Sequence, residues 1–79
     1  MRVLILAQDS IEGIDELKTR IFGNRIFVDV EILVPSSISL IKAHDIAHLV
    51  HDKIEKEFPK VKHCNVHVNP NIIDNNTEN

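Results

Sequence analysis

From Ile26 to Val34 apolar residues fall on every second position: Ile26, Val28, Val30, Ile32 and Val34 share one face, and Phe27, Asp29, Glu31 and Leu33 share the other. That two-residue period, carried largely by β-branched side chains, predicts a strand whose first set faces the core. Upstream, Gly13 opens a segment through Ile14, Leu17, Thr19 and Ile21 that stops at Gly23-Asn24. Two such runs around a glycine turn predict a hairpin. After Pro35-Ser36-Ser37 the period becomes helical: Leu40, Ala43, Ile46, Ala47, Val50, Ile54 and Phe58 cover one face. Ser39 is placed to cap this helix, with Ile38 and Leu40 steadying the entry, and Pro59 forbids its continuation beyond about Glu57.

A third alternating run, Cys64 to Asn69, ends at Pro70 and predicts a strand with Cys64, Val66 and Val68 inward. The apolar cluster Val3 to Ala7, before the Gln8-Asp9-Ser10 break, reads as the end of a helix or a strand begun before Met1. The order is therefore one element of open type, then strand, strand, helix, strand. This is an α/β (α+β) arrangement, a three-stranded sheet with helix on one face. We expect one domain over residues 1–70 and a disordered tail over 71–79, where asparagine is frequent and periodicity is lost.

Composition narrows the function. At 79 residues a single core leaves a thin margin of stability, so support from a metal ion or a partner subunit is expected. The formal net charge is −3 and the nine basic residues are scattered, which leaves no basic stripe for nucleic acid. No run approaches the roughly 20 apolar residues of a membrane helix, so the chain as given is expected to be soluble. A single cysteine, Cys64, excludes an internal disulfide and suggests a reducing compartment.

Five histidines and twelve acidic residues favour cations. His44, His48, His51 and Glu55 recur at helical spacing on a stripe bordering the apolar face, and two histidines four apart can bind one ion. The run His44-Asp45-Ile46-Ala47-His48 is similar to a zinc protease helix, but Asp45 replaces the glutamate base and so small a chain offers little cleft. On the sheet, Asp29 and Glu31 face away from the core, and His67 and Asn69 fall on the equivalent face by parity. Oxygen and imidazole donors of this kind suit zinc, manganese or ferrous ions in open sites. The wet face of an antiparallel sheet also carries such residues without any function. Phe27 and Leu33, large apolar groups on that face, point to something that covers it, and a second subunit is one cover.

Gly13 to Arg20, Phe27-Val28-Asp29-Val30-Glu31, Ser39 with Ala43-His44-Asp45-Ile46-Ala47, Phe58-Pro59 and Val66-His67-Val68-Asn69-Pro70 follow one another over about 60 residues in a way that resembles the cytosolic C-terminal domain of cation diffusion facilitator metal transporters. The resemblance implies a ferredoxin-like, metallochaperone-like αββαβ fold and a homodimer below the membrane. It also implies a transmembrane domain of the same full-length chain preceding Met1, and a divalent transition metal ion (Zn, Fe or Mn) bound near the subunit interface to promote transport. The domain would regulate and catalyse nothing. Carried onto this sequence, the family's metal positions are Asp15, Glu31, His44, His67 and Asn69, with Asp29 used in some members. Zinc-exporting relatives often have histidine where Asp15 and Glu31 stand and aspartate where Asn69 stands, so the ligands here shift towards oxygen, leaving room for iron or manganese, including the magnetosome iron transporters. The alternatives are a purely structural dimerisation domain with a degenerate site, and a free-standing metal- or ligand-binding module. Glu31 and His67 point away from the helix, so His44 could join them within one chain only at a sheet edge. A site shared between subunits would resolve this. The alternative is that the carboxylates and the histidines form separate weak sites, which a dimer closing on metal could tolerate.

Overall fold

In a computed structural model, which describes residues 1–72, the element order is α1 (Arg2–Leu6), β1 (Gly13–Phe22), β2 (Arg25–Pro35), α2 (Leu40–Glu57) and β3 (Val61–Asn71). The opening apolar cluster is thus a helix. Its Ile5 is fully buried, and the Gln8 side-chain amide donates to the Leu4 carbonyl at 2.9 Å near its end.

The strands form one sheet in the order β1-β2-β3. β1 and β2 are antiparallel, joined by the two-residue loop Gly23-Asn24 between the paired Phe22 and Arg25. Gly23 takes φ +61°, a conformation that costs an L side chain energy, and glycine at the first loop position is what a tight hairpin requires. β2 and β3 are parallel, with Val30 beside Val66 and Glu31 beside His67. Parallel neighbours need a long crossover, and α2 supplies it. Ser39 caps α2 by accepting from the Lys42 amide at 3.1 Å, and Phe58 leaves helical geometry just before Pro59.

The core lies between the sheet and the helices. β2 contributes Val28, Val30, Ile32 and Val34; α2 contributes Ile46, Val50 and Ile54; β3 adds Val61 and Cys64, and the N-terminal segment adds Ile5 and Ile11. Ile26 is only half-buried, since it lies at the hairpin end of β2, where Ile21 opposite it is exposed.

Leu40, expected on the apolar face of α2, is exposed at the start of the helix, and two further features depart from the sequence expectation. The pairing of β1 with β2 shifts between Ile14 and Glu16, so Asp15 is an extra residue in a bulge, and both Ile14 and Leu17 can face the core. Strand β3 begins earlier and does not end at Pro70: it runs from Val61 to Asn71, with Pro70 beside Val34. The missing proline amide is tolerated because β3 is an edge strand, and Asn71 Nδ2 donates to Glu12 Oε1 at 2.9 Å. Of the tail expected over 71–79, Asn71 belongs to the sheet, and residues 73–79 lie outside the described residues.

Because β2 is buried on its core face and hydrogen-bonded on both edges, Ile32→Ala should cost about 2–5 kcal/mol by equilibrium denaturation. Ser39→Ala should cost about 1 kcal/mol through loss of the cap.

Candidate metal centre

The strand period of two places Asp29 and Glu31 on the face of β2 away from α2, and the parallel register puts Asn65 beside Asp29 and His67 beside Glu31. Across the other edge, the antiparallel register brings Lys18 opposite Asp29 and Glu16 opposite Glu31. Together Glu16, Lys18, Arg20, Asp29, Glu31 and His67 line a groove of about 180 Å³. Asn65 Nδ2 donates to Asp29 Oδ1 and Asn69 Nδ2 to Glu31 Oε1, each at 2.9 Å. One oxygen of each carboxylate is thereby held in place.

The groove carries its own cations. Lys18 Nζ is 3.2 Å from Glu16 Oε2, and Arg20 also lines it. With three carboxylates against two basic groups, the groove keeps one negative charge while His67 is neutral. Among the described residues, no three histidine, cysteine or acidic side chains converge closely enough to hold an ion by themselves. A metal bound here needs donors from water or from a second chain.

The six residues singled out in the sequence are therefore divided. Asp29, Glu31 and His67 line one groove, and Asn69 joins them through its bond to Glu31. Asp15 is exposed in the bulge and does not line the groove, because the bulge puts Glu16 opposite Glu31 instead. His44 lies on the other side of the sheet, where α2 and β3 meet, in a groove of about 260 Å³ lined by His44, Ala47, His48, His51 and Val66. Glu16, Lys18, Arg20 and Asn65 were not foreseen. The step from Ile14 to Leu17, which breaks the alternation, was the one signal that could have announced the bulge and with it Glu16.

The apolar groups on the acidic face have cover within the chain. Phe27 is half-buried, with ring centroids 5.2 Å from Phe22 and 5.7 Å from His63, and Leu33 leans over Gly13. Cys64, facing the core, is no ligand for either groove. Burial pushes its thiol up to about 11, and the Glu55 and Asp29 carboxylates add to the effect. At pH 8 roughly one thiol in a thousand is then ionised. Cys64 should react with a thiol reagent at pH 8 at least ~100-fold more slowly in the native chain than in denaturant.

Residues 1–71 match the family model described as the cytoplasmic domain of cation efflux proteins. Metal tolerance protein 5 of Oryza sativa subsp. japonica is 36% identical over 59 residues, which are 75% of this chain and 14% of that protein. The manganese efflux system protein MneP of Bacillus subtilis (strain 168) is 28% identical over 69 residues, 87% of this chain and 23% of that protein. This chain thus spans less than a quarter of the length of these curated relatives. Among solved structures, MamM-CTD 215-293 superposes with a TM-score of 0.81 at 20% identity, covering 87% of this chain and 90% of that one. A nickel form of a MamM CTD variant gives 0.83 at 19% identity, covering 90% and 92%. The αββαβ fold expected from the sequence is the one these structures share.

Proposed function

Since this chain belongs to the cation diffusion facilitator, or cation efflux, family as its cytoplasmic domain, we propose that it regulates a divalent-metal transporter by binding the transported class of ion in the acidic groove of its sheet. The observation that carries the reading is the meeting of Asp29, Glu31 and His67 from two strands in one groove, with Asn65 and Asn69 orienting the carboxylates. Donors so rich in oxygen suit manganese or ferrous iron at least as well as zinc. Manganese is the ion named for the Bacillus subtilis relative.

The pair Glu31 and His67 supplies two of the donors an ion needs, and water or a second chain supplies the rest. The reading therefore includes a homodimer in which two acidic faces share metal and draw together on the cytoplasmic side of the membrane. The transmembrane domain of the full-length chain would transmit that closure. Small size supports pairing, as do the exposed Ile21 and Phe22 at the hairpin end. Asp15 and His44 have no part in this groove. Asn69 serves it as a positioning residue for Glu31, and no catalytic role is proposed for any residue.

Lys18 favours a second reading, a structural dimerisation domain, because an ammonium group already partners a carboxylate in the groove. Thermal melts separate the two. Saturating manganese should raise the melting temperature by mass action, and an unchanged melting temperature would support the structural role.

Calorimetric titration with manganese should show affinity at least tenfold weaker in His67→Ala, a loss of about 1.4 kcal/mol. Imidazole coordinates only when neutral, so affinity should also fall on acidification. Affinity flat from pH 8 to 5 would assign binding to carboxylates alone. Lys18→Met removes a competing cation and should tighten manganese binding severalfold; weaker binding would mean that Lys18 orders the site.

A further inference from the structure

The groove where α2 meets β3 is not used by the acidic face, and it collects three of the five histidines. We propose that His44 and His48 form a second metal site on α2, independent of the sheet groove and selective for ions that prefer nitrogen, such as nickel, zinc or copper. Their rings lie one helical turn apart with centroids 4.6 Å apart and planes at 73°. Two imidazoles on one ion, with metal–nitrogen bonds of ~2.0–2.1 Å, have centroids roughly 4.5–5 Å apart. The pair thus already stands at the separation of a chelate, and rotation about the side-chain bonds is all that remains to aim both nitrogens at a common ion.

The surroundings favour the same use. The backbone that carries the pair is held rigid by the buried Ile46, Val50 and Ile54 and by the Ser39 cap, so little order is lost on binding. Ala47 and Val66 line the groove beside the pair and offer no competing cation. His51 is the third histidine of the groove. Its Nε2 lies 3.3 Å from Glu55 Oε2 and its Nδ1 3.4 Å from Asp52 Oδ1, so both nitrogens face carboxylates. His51 is thus drawn towards Glu55 and Asp52, whereas the His44 and His48 rings stand together, so these two form the chelating pair, with solvent completing the coordination sphere.

The two faces of the sheet differ in ligand chemistry. The acidic groove offers carboxylate oxygen with one imidazole, whereas the helix offers two imidazoles. Nickel and zinc bind nitrogen donors more tightly than manganese does. A chain with both sites can hold a borderline ion on α2 without occupying the oxygen-rich groove.

The test uses the whole chain and separates this site from the acidic groove by working in the His67→Ala background. Nickel titrated into His67→Ala should still bind at one ion per chain, and adding His48→Ala or His44→Ala should weaken that binding at least tenfold. His48 and His44 are exposed, so both variants should keep the helical circular dichroism of the parent. Adding His51→Ala instead should change nickel affinity less than threefold. Manganese affinity of His48→Ala in the otherwise native chain should match the native value. Absence of nickel binding in His67→Ala would overturn the proposal, as would unchanged nickel affinity after His48→Ala. Failure of manganese to bind the native chain would overturn the acidic-groove reading and leave this one standing.

Discussion

Everything in this domain is arranged around the pairing of β2 on both of its edges. One strand, alternating strictly between apolar and polar or mixed positions, is hydrogen-bonded to β1 on one side and β3 on the other. Its core face brings Val28, Val30, Ile32 and Val34 under α2. Its opposite face brings Asp29 and Glu31 between the outward residues of both neighbours. A slip of one residue in either ladder would exchange the two faces, placing carboxylates in the core and valines in water. The stability of the fold and the composition of the acidic groove are thus consequences of the same register.

The acidic groove is balanced rather than strongly charged. Lys18 and Arg20 offset two of its three carboxylates, and the two asparagines hold one oxygen each of Asp29 and Glu31. Such an arrangement lets the face exist without an ion, since the repulsion of clustered carboxylates is relieved internally. Under the proposed function it would also limit affinity, because an entering cation would compete with the Lys18 ammonium for carboxylate oxygen, and such a compromise would suit a site that fills only as metal rises.

The parts of the fold that follow from local chemistry could be read along the chain. Ser39 and Pro59 bracket α2 because capping and proline geometry act within one turn, and α2 spans Leu40–Glu57 as expected. The alternation from Ile26 to Val34 and the Gly23-Asn24 turn announced the hairpin for the same reason. Pro70 misled because proline is excluded only where its amide is needed, and an edge strand does not need it. The bulge at Asp15 was not legible along the chain because a bulge leaves only a small break in periodicity.

By itself the sequence determined the type of β1, β2, α2 and β3, which face of β2 and of α2 is turned to the core, and that oxygen and imidazole donors accompany them. Periodicity and capping are properties of neighbouring residues, and neighbours are written in order along the chain. Only the tertiary structure decided which donors meet. The parallel register of β3 on β2 set His67 beside Glu31, the bulge put Glu16 rather than Asp15 opposite Glu31, and the side of the sheet taken by α2 kept His44 away from that groove. Those outcomes depend on contacts between residues far apart in sequence, on which no local period reports.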